Sequence, residues 1–206
     1  MKQGSPEWFA ARLGCVTASR VADVIAMTKN GPSERRNTYL YQLVAERLTG
    51  LPTETFVSDD MQRGIDMEAE ARTLYELRAD AFVFEMPFVP HPKIPKCGAS
   101  PDGKVNADLL IEIKCPRQQR HVETMLTRKV PSVYKPQMDL QMACTGAQAV
   151  DYVSYCQAMP PELQIVVIRH ERNEEVLNDM EQKVEAFLRE VNDAVVRALE
   201  SAREAA

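Results

Sequence analysis

The stretch Leu109-Leu110-Ile111-Glu112-Ile113-Lys114-Cys115-Pro116 limits the chain more than any other. Leu109, Ile111, Ile113 and Cys115 fall on one side of a period-two pattern, and Leu110, Glu112 and Lys114 on the other, which predicts a short strand. A carboxylate and an ammonium two residues apart on an otherwise apolar strand are costly to bury unless something there needs charge. Upstream, Ser100-Pro101-Asp102-Gly103 is a turn signal with its own carboxylate. A hairpin between turn and strand returns Asp102 toward Glu112 and Lys114. Two carboxylates and a lysine in one cleft suit a magnesium-dependent phosphodiesterase, the carboxylates holding a hard cation and the lysine steadying or activating a water. A surface hairpin with a Glu–Lys pair and an unrelated turn aspartate has the same pattern, so more of the chain must decide.

At 206 residues, 45% hydrophobic and 27% charged, the chain is long enough for one well-buried domain that needs no disulfide or metal to fold. No run of about 18 apolar residues predicts a membrane span. Residues 1–20 lack the layout of a secretory signal, so a cytoplasmic protein is expected. The five cysteines (Cys15, Cys97, Cys115, Cys144 and Cys156) are scattered and form no CxxC pair. That argues against a zinc or iron–sulfur site and for reduced thiols. The net charge of −5 speaks against a passive nucleic-acid binder but not against a nuclease, whose carboxylates are neutralised by cations. Arg12, Arg20, Lys29, Arg35, Arg36 and Arg47 concentrate basic charge in the first 50 residues, and it is the local field that attracts a polyanion.

Along the chain, Ser5-Pro6-Glu7 opens a short helix with Trp8, Phe9 and Leu13 as apolar anchors, ended by Gly14. Thr17 is expected to cap a second helix over 18–27. Arg12 and Ser19 flank the tight connection between them, where free amides, a hydroxyl and a guanidinium supply the parts of a phosphate pocket; ordinary capping beside a solvated arginine is the alternative. Helices are expected over 33–48 and 59–79. On the second of these Glu68, Ala71, Arg72 and Tyr75 share a face, so Glu68 is either half of an ion pair with Arg72 or a third acidic ligand behind the sheet. A strand-like segment over 82–88 is followed by a proline-broken loop. Helices over 117–128 and 134–144, strands over 151–156 and 163–169, and a final helix over 173–199 complete the pattern. Gln137 and Gln141 lie one turn apart on one face. The order predicts a single α/β domain with a mixed central sheet flanked by helices. Its parts are a helical segment over 1–58, a core over 59–170 and the C-terminal helix over 171–206.

Ser100-Pro101-Asp102-Gly103 followed by Glu112-Ile113-Lys114 resembles the PD-(D/E)xK signature of metal-dependent nucleases. Trp8 with residues 12–19 resembles the amino-terminal motif of lambda-phage-type alkaline exonucleases, the YqaJ-like viral recombinases. Residues 68–76 match the helical acidic motif of that family, and residues 134–146, centred on Gln137, its glutamine motif. The similarity runs over about 4–195, with four motifs in order.

The resemblance implies a processive 5′→3′ exonuclease that digests one strand of linear duplex DNA from a 5′-phosphate end and leaves a 3′ single strand for a single-strand annealing protein. It also implies a ring-shaped homotrimer in a phage- or prophage-derived system. Residue by residue, it implies Asp102, Glu112 and the backbone carbonyl of Ile113 on one Mg²⁺, with Glu68 and Asp102 on a second; Mn²⁺ is expected to substitute. Lys114 would act on the attacking water, and Gln137 would position that water or the scissile phosphate. Beside two cations Lys114 is expected to have a lowered pKa. Arg12, Ser19 and Ser100 would hold the terminal phosphate. Met61 lies where the lambda-type enzyme has a strand-parting wedge, and Arg35 and Arg36 lie near its minor-groove arm. An endonuclease of the same fold and an inactive DNA-end-binding module are the other readings; the intact Asp102, Glu112 and Lys114 set speaks against the second.

Overall fold

The computed structural model describes residues 2–29, 31–53 and 58–204. Asn30 of the loop expected before residue 33, and residues 54–57 of the connection expected before residue 59, lie outside the described residues.

Ser5 caps α1 (Pro6–Arg12) by accepting the Trp8 amide at 3.3 Å. Gly14 then turns the chain at φ 65°, and a Cβ there would meet Arg47 Cγ at 2.7 Å. Its amide donates to Glu46 Oε2 and its carbonyl accepts from Arg47 Nε, both at 2.9 Å, so the turn is gripped from both sides. β1 (Val16–Thr17) follows, then a single 3₁₀ turn (Ala18–Arg20) and α2 (Val21–Val24). The unbroken helix expected over 18–27 is therefore corrected. The Tyr39 hydroxyl accepts the Thr17 amide and donates to the Cys15 carbonyl, each at 3.2 Å, which keeps the entry extended. At the far end β2 (Met27–Thr28) pairs antiparallel with β3 (Gly31–Pro32), pulling those residues out of any helix.

Ser33 caps α3 (Glu34–Thr49), and Gly50 ends it at φ 69°. Ser58 caps α4 (Asp59–Ala79), whose bounds are those read from the sequence. The strand expected over 82–88 is reduced to one bridge, Phe84 with Lys104. Pro87 removes a donor there, and exposed Phe82 and Phe84 have no sheet face to cover. The remaining elements are β4 (Val89–Pro90), β5 (Cys97–Ala99), β6 (Gly103–Lys104), β7 (Leu109–Lys114), α5 (Gln118–Thr127), α6 (Lys135–Thr145), β8 (Ala149–Tyr155), β9 (Ile165–Glu171) and α7 (Glu174–Glu204).

The main sheet runs β6-β7-β8-β9, with β7 parallel to β8 and the outer pairs antiparallel, so it is mixed as expected. A second sheet, β1-β5-β4, pairs β1 parallel to β5. The alternation on β7 sorts the layers. Ile111, Ile113 and Cys115 pack with Ala71 and Tyr75 of α4. Leu110 turns the other way into a larger core with Leu43 of α3, Met138 and Leu140 of α6, and Val184 and Phe187 of α7. Fully buried side chains of this size stabilise by roughly 1.5–3 kcal/mol each relative to exposure. Glu112 shares the Leu110 face and so is driven into the sheet–α6 interface. All five cysteines are free and buried. Among the described residues no helix is long and apolar enough to cross a membrane.

Candidate active site

The β6–β7 hairpin pairs Gly103 with Ile111, which sets Asp102 beside the middle of β7. The Ile113 amide donates to Asp102 Oδ2 at 2.6 Å. The approach requires glycine at 103, where a Cβ would stand 2.2 Å from Val83 Cγ1. The predicted return of the turn onto the strand is thus present.

Glu112 is fully buried, yet its carboxylate has three donors. Oε1 accepts from Lys114 Nζ and from Gln137 Nε2, the latter at 2.5 Å, and Oε2 accepts from Gln141 Nε2 at 2.5 Å. Gln137 and Gln141 are one turn apart on α6, so a single helix face supplies both amides. The sequence leaves open which glutamine acts; both contact Glu112, with Gln141 fully buried and Gln137 half-buried. Lys114 Nζ also lies 5.2 Å from the Tyr134 ring, which stacks on Tyr152.

Glu68 is joined to Arg72 at 2.6 Å, and the same guanidinium binds Glu85 at 2.7 Å and the Asp102 carbonyl at 3.3 Å. Glu68 thus has the ion pair of the first sequence reading, and Arg72 ties it to the Asp102 turn. Arg72 is the residue that sequence reasoning missed as a link; i,i+4 spacing shows its bond to Glu68 but not its reach across to residue 102.

The electrostatics tie the acids together. Burial and the Glu112 charge hold the Asp102 carboxyl well above the usual range, with Lys114 opposing and Glu68 adding to the rise. Glu68 is raised by burial and by Glu112 and Glu85, against the pull of Arg72. Burial pulls the Lys114 ammonium down, but the charges of Glu112 and Asp102 outweigh it, and its pKa is raised. With the protein's own groups alone, this direction is opposite to the lowered value expected beside two cations. Burial, then Glu68 and Asp102, pushes the neighbouring Cys115 thiol up to about 11.

The donor set suits a hard divalent cation. Asp102 and Glu68 feel the Glu112 charge, Lys114 and Arg72 oppose it, and a bound cation would oppose it further. Among the described residues, no three acidic, histidine or cysteine side chains come together as a group that could hold a metal ion. Each carboxylate is instead turned to a protein donor: Asp102 to the Ile113 amide, Glu68 to Arg72 and Glu112 to its three partners. The shared pair of sites expected from the three acids is thus not formed by these side chains as they stand. Magnesium characteristically keeps several waters and takes substrate phosphate oxygens as ligands, so an incomplete shell is compatible with it.

A second cluster lies at the amino-terminal helix. Arg12 Nη1 donates to Ser100 Oγ at 3.1 Å, and the Arg12 guanidinium lies 3.8 Å above the Trp8 ring. Burial lowers the Arg12 pKa. Ser19 is exposed and bonds Thr17 Oγ1 at 3.3 Å, so Arg12 and Ser100 are in contact and Ser19 bonds elsewhere. Thr17 of β1 pairs with Gly98 of β5, which brings the chain segments leading to Ser19 and Ser100 side by side. Met61 is exposed in the first turn of α4. Arg35 is exposed, whereas Arg36 is buried, paired with Glu190 of α7 at 2.7 Å and placed over Phe187. The expectation of Arg36 as a DNA contact is corrected, because that guanidinium already holds α3 to α7.

The four motifs around these two clusters all fall inside one match: the YqaJ-like viral recombinase domain covers residues 7–148. The chain belongs to this family. Among solved structures, the alkaline exonuclease LHK-Exo from Laribacter hongkongensis is 42% identical over 98% of this chain and 100% of its own, with a TM-score of 0.91. The same enzyme in complex with dAMP matches equally well. A phage-related exonuclease from Haemophilus somnus 129PT has a TM-score of 0.70 over 89% of this chain and 96% of its own; at 12% identity the likeness is one of fold. No curated protein sequence matches the chain. Family membership thus agrees with the resemblance read from the motifs, and the mixed α/β architecture is shared with both exonuclease structures.

Proposed function

We propose that this chain is a magnesium-dependent, processive 5′→3′ exonuclease that degrades one strand of linear duplex DNA from a 5′-phosphate end. Its family and its 42%-identical alkaline exonuclease relative make it a deoxyribonuclease. The observation that carries the finer reading is the hairpin itself: Asp102, Glu112 and Lys114 are adjacent, and their charges are coupled. In that reading the hairpin, α4 and α6 form a PD-(D/E)xK core, with 1–58 as the end-binding part and α7 as a C-terminal brace. Asp102, Glu112, Glu68 and the Ile113 carbonyl would hold the cations, with Mn²⁺ able to replace Mg²⁺ at oxygen ligands. Bound there, the two ions supply Lewis-acid stabilisation of the entering and leaving oxygens of an in-line displacement.

The chain's own residues supply the rest. Lys114, held charged by Glu112 and Asp102, orients a water with its N–H groups. Gln137 and Gln141 keep the Glu112 carboxylate from turning. Arg12 and Ser100 bind the terminal phosphate, whose extra charge distinguishes an end from an internal phosphate. Met61, exposed in the first turn of α4, would part the strands, and exposed Arg35 would meet the duplex backbone; Ser19 would join the phosphate once it is bound. A homotrimeric ring around DNA and an annealing protein that receives the 3′ strand, in the cytoplasm of a host cell, complete the proposal; these rest on the family resemblance.

Linear duplex labelled at either end, incubated with Mg²⁺, tests the reading. Loss of the 5′ label first, with the complementary strand intact, is expected. Cutting of a closed circular duplex, or first loss of the 3′ label, would overturn it.

A further inference from the structure

Ser100 Oγ receives two donors: the Trp8 indole N–H at 3.0 Å and Arg12 Nη1–H at 3.1 Å. A serine hydroxyl has two acceptor lone pairs and one O–H. With both lone pairs occupied, its hydrogen has only the donor role left. The Arg12 guanidinium meanwhile sits over the Trp8 ring, 3.8 Å from its centroid, which restrains where its remaining N–H groups can go. Trp8 and Ser100 are both half-buried, so the cluster is open on one side.

We propose that Trp8 is the positioning residue of end recognition: its indole N–H and ring face together leave Ser100 only its donor role and hold Arg12 in place, so that the pair reads a terminal phosphate monoester. The proposal rests on the reading of Arg12 and Ser100 as phosphate ligands. A competing donor is excluded from the pocket, because no hydroxyl lone pair remains to turn toward it. A 5′-hydroxyl end can use only its oxygen lone pairs there, its own O–H finding no acceptor, whereas a phosphate offers several charged acceptor oxygens.

Trp8→Phe keeps a ring under Arg12 and deletes the N–H. The preference for 5′-phosphorylated over 5′-hydroxyl duplex, measured as a ratio of kcat/KM, is expected to fall about tenfold, carried by KM, as for loss of one hydrogen bond to a charged group. In a Ser100→Ala background the same change should have no further effect on the ratio, since the hydroxyl it orients is gone. An unchanged ratio, an equal fall on both substrates, or additivity with Ser100→Ala would overturn the role. A second measurement needs no variant. Trp8 is the single tryptophan of the chain, so its emission reports this cluster alone. In EDTA, a short 5′-phosphorylated duplex should change that emission more than the same duplex ending in 5′-hydroxyl; equal changes would overturn the proposal. A wild-type enzyme indifferent to the phosphate, together with an unchanged ratio in Arg12→Ala, would instead remove the phosphate pocket itself.

Discussion

Gln141 donates its side-chain amide to Glu112 Oε2 at 2.5 Å, and neither side chain has any surface in water. A carboxylate shut in this way is tolerated only while its donors remain. Gln141→Leu keeps the volume and removes the donor. It should destabilise the chain by about 1–3 kcal/mol, read as a lower urea midpoint with an unchanged slope. Gln137→Ala, where Lys114 still serves the same oxygen, should show the smaller loss of stability and a clear loss of rate.

Asp102 and Glu68 both titrate above the ordinary carboxylate range, burial being the first cause in each. The folded chain therefore keeps protons that an unfolded chain has released by about pH 4. With fewer protons on the unfolded state, stability falls as pH rises from there through the folded pKa. In EDTA, Asp102→Asn should remove part of that slope and stabilise near neutral pH by on the order of 1 kcal/mol. Mg²⁺ should raise the Tm of the parent protein and leave the variant unmoved, and nuclease activity should disappear from the variant.

Lys114→Ala should lower the rate by about 10²-fold or more, within the range for groups that act on the reacting water. Lys114→Arg, which keeps a charge and N–H donors beside Glu112, should retain more activity than the alanine variant. Single-turnover rates at saturating DNA separate this loss from weaker binding.

Arg35 and Arg36 are neighbours in sequence with opposite environments. Arg35→Ala should weaken DNA binding and reduce the slope of log affinity against log salt by about 1. Arg36→Ala should leave that slope unchanged. It removes the buried Arg36 side chain from over Phe187 and opens the α3–α7 contact, at about 1 kcal/mol of stability. Salt titrations of binding and urea melts of both variants distinguish the two.

The sequence was informative where local chemistry decides the structure. Ser58 and the 3.6-residue pattern of 59–79 bound α4, and the alternation of Leu109 to Cys115 sorted β7 into its two faces. Asp102 returned to that strand as read, but the reversal lies at 105–108, where the Val105 amide donates to the Leu109 carbonyl at 2.9 Å, and not at Pro-Asp-Gly itself. What stayed hidden depends on partners far along the chain. The Tyr39 hydroxyl breaks the expected helix over 18–27 from 22 residues away. Arg36 meets Glu190 across 154 residues. The strands β1, β4 and β5, each two or three residues long, carry no periodicity to read. At the site, the spacing of Gln137 and Gln141 announced a shared face but not that Glu112 lay opposite, and Arg72 gave no sign that it reaches the Asp102 carbonyl.

Ser100 and Asp102 are separated by a single proline that is itself buried. Two steps of extended chain span about 7 Å, so on the proposed reading the seat of the bound end and the carboxylate at the bond to be broken form one stiff measuring stick. The length of each released fragment would then be written into covalent geometry rather than set by a moving part, and lengthening this turn by one residue should alter what is released before it alters how tightly DNA is held.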